Sequence, residues 1–109
     1  MIEETVEIIN ELGLHARAAA KFVNTASPFT STVKLCRADK PDEEVDGKSI
    51  LGVLLLAASI GTRITIRVDG DDQQKALECL RNLVSDGFGE LDENPPSGVF
   101  GDGQIGNSV

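Results

Sequence analysis

Residues 62–68 (TRITIRV) alternate strictly between polar and apolar side chains, which is the pattern of a strand with one buried face. The apolar set is Ile64, Ile66 and Val68, and the polar set is Arg63, Thr65 and Arg67. A sheet built around such a strand packs one face against a core and leaves the other face in solvent. We therefore expect the helices of this chain to lie on one side of an antiparallel sheet.

Three other segments also predict strands. The first mixes acids with β-branched residues in imperfect alternation. The second places Val33 and Leu35 on one face and Cys36 on the other. The third is at most a short strand at the end of residues 38–46, a charged excursion that contains Pro41. In chain order, the four predicted strands are residues 2–9, 32–37, 44–46 and 62–68.

Three segments are predicted to form helices. The first has apolar residues at helical spacing and stops before Pro28, the second is an apolar run begun by Ser49, and the third is an amphipathic stretch for which Asp72 is the expected N-cap. The predicted helices are residues 16–27, 49–58 and 73–86. The order is βαββαβα, which indicates an α+β fold with a four-stranded antiparallel sheet covered on one side by three helices.

Length and charge limit the class of protein. A chain of 109 residues is long enough for one domain, and 10 basic against 18 acidic side chains give a net charge of −8. That charge repels nucleic acid and anionic lipid, so neither is an expected partner. The longest apolar run, residues 50–60, falls well short of the roughly 20 residues that a membrane helix needs. We expect a soluble, cytoplasmic protein.

Cys36 and Cys79 are the only cysteines, and the chain has a single histidine. This inventory provides no zinc quartet, and we expect the two thiols to behave as small core residues rather than as a disulfide. No metal or other cofactor is predicted. Residues 90–109 are acidic and rich in glycine and proline, so we predict a folded domain at residues 1–89 and a disordered tail at residues 90–109.

The single histidine, His15, follows a strand and a glycine-containing turn and comes directly before a predicted helix. Backbone N–H groups and the positive end of the helix dipole stabilise an anion at that position and disfavour a protonated imidazole. Arg17 adds a cation that can bind phosphate oxygens. The combination indicates phosphoryl transfer through a phosphohistidine, although a histidine that only caps the helix is the alternative.

Four stretches carry a resemblance to a known family. GLHAR after a strand, then FTSTVKL, DGKSILGVLLLAASIGTRITI and a final SDGFGE resemble the HPr family of phosphocarrier proteins of the phosphotransferase system, over residues 2–90. The resemblance implies an open-faced β-sandwich in which the Nδ1 atom of His15 accepts a phosphoryl group from phosphorylated enzyme I. It also implies Arg17 as the phosphate partner and an enzyme IIA-type domain as the acceptor.

The resemblance assigns roles to the start of the second helix as well. Ile50, Leu51 and Leu54 match the family's apolar docking patch, although we expect at least two of them to be partly core. Ser49 matches the serine phosphorylated by HPr kinase/phosphorylase, and its alternative role is that of a plain N-cap. Ala18 stands where the family usually has proline, which adds a backbone N–H donor and affects partner fit more than chemistry.

Several alternatives stay open. The opening VEIINELGLHAR and the ending SDGFGE are similar to NPr, the nitrogen-related branch of the family, whereas DGKSILG is similar to the sugar-branch proteins. Outside the family, a small acylphosphatase-like enzyme could use Arg17 to hold phosphate, and a pure interaction module would leave His15 inert. We expect a monomeric, stoichiometric phosphoryl carrier rather than an enzyme.

Overall fold

The computed structural model describes residues 1–91. Its strands are β1 (Ile2–Glu7), β2 (Thr32–Arg37), β3 (Val45–Asp46) and β4 (Arg63–Asp69). Its helices are α1 (Ala16–Ala26), α2 (Ile50–Leu55) and α3 (Gln73–Ser85), and a single 3₁₀ turn follows at Gly87–Gly89. The predicted element order is confirmed, whereas the 3₁₀ turn was not predicted. Within residues 1–91, no helix has the length and apolarity to cross a membrane.

The four strands form one antiparallel sheet in the order β1-β4-β2-β3. The strand with the strict alternation, β4, therefore lies inside the sheet, where both of its edges are paired. Its apolar residues Ile64, Ile66 and Val68 are fully buried, and α3 packs against β1 and β4 while α1 contacts both α2 and α3. The α+β class and the placement of the helices on one face are confirmed.

The opposite face of the sheet carries a charged cluster around Arg67. Its Nε donates to Glu3 on the neighbouring β1 at 3.0 Å, and its guanidinium also binds Glu44 at 2.6 Å and the Pro41 carbonyl at 3.1 Å. Hydrogen bonds to Glu44 and to Glu3 raise the pKa of Arg67 above its ordinary value. Arg67 thus joins the edge strand β1 to the charged excursion at residues 38–46.

Three predicted details differ from the structure. Helix α2 ends at Leu55 rather than at residue 58, because Ala57 has a positive φ of 51° and cannot continue a right-handed helix. Strand β1 ends at Glu7 rather than residue 9, because the Ile8 backbone bonds to Thr62 and Gly61 in the loop before β4. Asp72 occupies the N-cap position of α3, yet its carboxylate accepts from Thr30 and Ser31 instead of capping its own helix.

Cys36 is fully buried although it lies on the open face of the sheet, where the alternation of β2 places it. It pairs there with Thr65, which is also buried, and the Arg67 side chain extends across the same face. Its burial agrees with the expectation of a core-like thiol, while Cys79 is half-buried.

Candidate functional site

The loop before α1 holds His15 through two close contacts with the chain between α2 and β4. The backbone N–H of Leu14 donates to the Ala58 carbonyl at 2.9 Å. Gly13 has a φ of +66°, and a Cβ there would lie 2.6 Å from the same carbonyl oxygen. Only glycine suits this approach and this backbone conformation, so the histidine loop is fixed by a residue without a side chain.

His15 is the N-cap of α1, as its place in the sequence predicts. Its Nδ1 accepts a hydrogen bond from the backbone N–H of Arg17 at 3.2 Å, and its carbonyl accepts from Ala19 at 2.9 Å. The Nδ1 atom therefore lies at the end of the helix where N–H groups point outward and the dipole is positive. The side chain keeps 24% of its surface exposed, so the ring is accessible from solvent.

Glu90 binds the other nitrogen of the ring. Its Oε2 lies 2.6 Å from the His15 Nε2, and its Oε1 accepts from the side-chain amide of Asn10 at 2.9 Å. Asn10 is fully buried, and its amide nitrogen also donates to the Gly13 carbonyl at 2.9 Å. One amide group thus links the carboxylate to the loop that carries the histidine.

The chain after α3 bends sharply to bring Glu90 to this position. Gly87, Phe88 and Gly89 all have positive φ values, of 63°, 57° and 75°. Phe88 is not a glycine, and its ring is buried in the core, which holds it in the left-handed conformation. The Phe88 carbonyl accepts from the Lys21 ammonium at 2.6 Å, so α1 fixes the turn directly before Glu90.

The protonation of Glu90 determines the state of the ring. Burial raises the pKa of Glu90. Hydrogen bonds from Asn10 and His15, with the positive charges of Arg17 and of a protonated His15, lower it by a larger amount, so the net pKa lies below its usual value. An ionised carboxylate only accepts hydrogen bonds, and the Arg17 N–H only donates. In this network the hydrogen is therefore on Nε2, and Nδ1 carries the lone pair.

Arg17 is in the first turn of α1, two residues after His15. Its side chain is exposed, and its positive charge is among the influences that lower the pKa of Glu90. The structure thus brings His15, Arg17 and the first turn of α1 together, as the sequence predicts. Ala18, which stands at the family's proline position, is fully buried in that same turn.

The second helix presents a partly exposed apolar surface. Ile50 is 43% exposed and Leu51 67% exposed, while only Leu54 packs against the core. The expectation that at least two of the three are partly core is therefore wrong, because in this six-residue helix Val53, followed by Leu56 at the C-cap, faces the interior. Leu55, 69% exposed, extends the surface and was not predicted.

Ser49 is the N-cap of α2. Its hydroxyl accepts from the backbone N–H of Gly52 at 3.1 Å, and its side chain is only partly buried. The capping role is therefore present in the structure. The same hydroxyl lies at the edge of the exposed apolar surface, next in the chain to Ile50.

Residues 2–86 match the protein family described as "PTS HPr component phosphorylation site". This chain belongs to the HPr family. It is similar to the phosphocarrier protein HPr of Cupriavidus necator, with 47% identity over 90 residues that cover 83% of this chain and 98% of the relative. Among solved structures, HPr from Thermoanaerobacter tengcongensis superposes with a TM-score of 0.76 at 42% identity, covering 83% of this chain and 98% of that one.

Membership of the HPr family confirms the resemblance on which the sequence interpretation depends. The expected monomer is not confirmed, because a second similar structure is a crystal structure of an HPr dimer from the same Thermoanaerobacter species. That chain is 41% identical, with a TM-score of 0.64 and coverage of 83% of this chain and 100% of the other.

Glu90 and Asn10 are the residues that sequence reasoning missed at this site. The sequence places Glu90 in the predicted tail, yet its side chain is only 12% exposed and its carboxylate contacts His15. The contact favours a domain boundary after Glu90, and the division of the chain stays a prediction. The two glycines of the SDGFGE ending were the available signal, because they permit the reversal that carries Glu90 back to α1. The predicted tail beyond residue 91 lies outside the described residues.

Proposed function

We propose that this HPr-family protein carries a phosphoryl group on the Nδ1 of His15. The observation that carries the proposal is the position of the Nδ1 lone pair at the N-terminus of α1, with the other ring nitrogen already bound to Glu90. A phosphoryl group on Nδ1 would meet the N–H groups of the first helical turn, which stabilise its negative oxygens. The long 3.2 Å bond from Arg17 to Nδ1 is weak enough to exchange for a phosphoryl oxygen.

The transfer is a displacement between two nitrogen atoms. Phosphorylated enzyme I is the proposed donor: its N–P bond breaks as the Nδ1 lone pair of His15 forms the new N–P bond. Arg17 supplies a cation beside the phosphoryl oxygens. An enzyme IIA-type domain then accepts the group. The alternative within the family is a regulatory carrier of the nitrogen branch, which acts by partner binding rather than in sugar uptake.

The exposed part of α2 is the proposed docking surface for both partners. Ile50 and Leu51 provide accessible apolar area, while Leu54 supports them from the core side. Apolar area that a monomer leaves exposed is typical of a protein interaction surface. The site therefore combines a nucleophile on α1 with a contact surface on the adjacent helix α2.

Phosphorylation of Ser49 would regulate docking. A phosphate there would add about two negative charges beside the apolar surface, which a partner must then desolvate. The protein is incubated with ATP and HPr kinase/phosphorylase, and mass spectrometry locates the product. Phosphate on Ser49 supports the proposal, whereas phosphate elsewhere or nowhere removes it, and Ser85, an exposed serine at the end of α3, is the matched comparison site.

The carrier function is tested by incubation with enzyme I and phosphoenolpyruvate. We expect one acid-labile phosphoryl group per chain, on His15. Continuous release of inorganic phosphate would support the acylphosphatase-like alternative instead. A protein that takes up no phosphate and releases none would be a pure interaction module.

A further inference from the structure

The ring of His15 gains a positive charge in the proposed reaction. Before transfer it is neutral, with hydrogen on Nε2 and a lone pair on Nδ1. When the lone pair forms the N–P bond, no proton leaves the ring, because the only ring proton is on the opposite nitrogen. The product is a phosphorylated imidazolium whose positive charge is shared between the two nitrogen atoms.

We propose that Glu90 is the positioning residue of this site, and that its carboxylate stabilises the phosphorylated form of His15 over the free form. The inference rests on the proposed function. The Oε2 atom is 2.6 Å from Nε2, so a hydrogen bond between a neutral ring and an ionised carboxylate in the free protein becomes an ion pair once the ring is phosphorylated. The Glu90 side chain is 12% exposed, which limits screening of the pair by water.

The surroundings of Glu90 keep its carboxylate in place and ionised. Asn10 donates to Oε1 from a fully buried position, and Lys21 fixes the preceding turn through the Phe88 carbonyl. Arg17, on the α1 side, is a positive charge that acts on the carboxylate, and the His15 ring adds a second one only when it is cationic. Because Nε2 is held by Glu90, Nδ1 is the nitrogen left to face the phosphoryl group.

Glu90→Gln separates charge from contact. Glutamine keeps an oxygen that accepts from Nε2 but removes the negative charge, whereas Glu90→Ala removes both. Glu78→Gln is the matched control, since Glu78 is an exposed carboxylate on α3 and its loss changes the net charge equally. The four proteins are equilibrated with enzyme I at a fixed ratio of phosphoenolpyruvate to pyruvate, and the phosphorylated fraction of His15 is measured.

We expect the ratio of phosphorylated to free protein to fall about tenfold in Glu90→Gln, because only the phosphorylated form loses an ion pair, and further in Glu90→Ala. Glu78→Gln should match the wild type. A wild-type ratio in Glu90→Gln, or an equal fall in Glu78→Gln, would overturn the inference, because the local charge would then have no effect on the product.

Proton NMR of the unphosphorylated proteins tests the contact without any partner. The wild type and Glu78→Gln should show a downfield, slowly exchanging Nε2–H resonance of His15, which Glu90→Ala should lack. An unchanged resonance in Glu90→Ala would show that the carboxylate does not hold the ring, and the inference would fail. If the wild type accepts no phosphoryl group, the proposed function fails, and so does the proposed effect of the Glu90 charge on phosphorylation. The Nε2–H resonance still tests the contact between Glu90 and the ring.

Discussion

At the scale of single residues, the site divides the two nitrogen atoms of one imidazole between two tasks. Nδ1 faces the first turn of α1, and Nε2 is bound by Glu90. His15 also caps α1, so a substitution can affect stability and chemistry separately. Asparagine is among the best N-cap residues and alanine is a poor one, and this difference gives a matched pair of variants.

Both His15→Ala and His15→Asn should fold and should accept no phosphoryl group from enzyme I. The alanine variant should also lose about 1 kcal/mol of unfolding free energy because the cap is missing, whereas the asparagine variant should stay close to the wild type. Urea denaturation measures the stability, and mass spectrometry measures phosphate uptake. Phosphate retained by either variant would mean that another residue is the acceptor.

Arg17→Ala should slow phosphoryl transfer by about tenfold without abolishing it, because the guanidinium contributes charge-assisted hydrogen bonds while the backbone donors of α1 remain. Arg17→Lys keeps the positive charge but not the planar guanidinium, so its transfer rate should lie between those of the wild type and Arg17→Ala. Stopped-flow measurement of kcat/KM with enzyme I compares the three proteins. A wild-type rate for Arg17→Ala would show that the side chain takes no part.

At the scale of elements, α3 begins at an aspartate that stabilises another part of the chain. The Asp72 carboxylate accepts from the Ser31 hydroxyl and from the backbone N–H groups of Thr30 and Ser31, directly before β2. Hydrogen bonds from Ser31 and Thr30 lower the pKa of Asp72 to about 2 from an ordinary value of 3.8. One side chain therefore joins the start of α3 to the start of β2.

This lowered pKa predicts a pH dependence of stability. A carboxyl whose pKa is depressed by folding contributes stability above its unfolded pKa, here 3.8, and loses that contribution as the pH falls through its folded pKa of about 2. Asp72→Asn should be less stable than the wild type at neutral pH, and the difference should shrink between about pH 4 and pH 2. Asp71→Asn, an exposed neighbour, is the control. A constant difference across that range would contradict the prediction.

The sequence predicts elements better than it predicts contacts between them. The bounds of β2 match those of the structure, because alternation and the turns on each side are local signals. Asp72 lies at the predicted N-cap position, but the predicted capping hydrogen bond is absent because its oxygens bind Thr30 and Ser31, about forty residues away in the chain. The Glu90 contact spans 75 residues and depends on a non-glycine residue, Phe88, in a left-handed conformation, which no local pattern predicts.

At the scale of the whole molecule, the last described residues complete the functional site. Glu90 reaches His15 because two interactions hold the 3₁₀ turn in place. The Lys21 ammonium on α1 donates to the Phe88 carbonyl, and the Phe88 ring is buried in the core. Residues 87–90 and the beginning of α1 thus form one unit. We predict that the phosphoryl transfer needs the chain as far as Glu90, even where stability needs less of it.

Two truncated chains separate these requirements. A chain that ends at Leu91 should unfold at the same temperature as the full chain and accept phosphate to the same level. A chain that ends at Gly89 with an amidated C-terminus should still fold, but its equilibrium phosphorylation should drop about as far as that of Glu90→Ala, because both lack a carboxylate beside Nε2. Calorimetry and phosphate uptake check the two statements. A lower melting temperature for the longer truncated chain would show that residues after Leu91 contribute to the fold.

The Arg67 cluster has a consequence for how the molecule responds to salinity. Its ion pairs with Glu3 and Glu44 are partly open to solvent, and at 1 M salt charges are screened within about 3 Å. Apolar packing beneath β4 is not weakened in this way. At 1 M salt, amide deuterium exchange should therefore speed up in the excursion at residues 38–46, while the amides of β4 keep their protection. High salt would thus loosen this excursion before it destabilises the sheet.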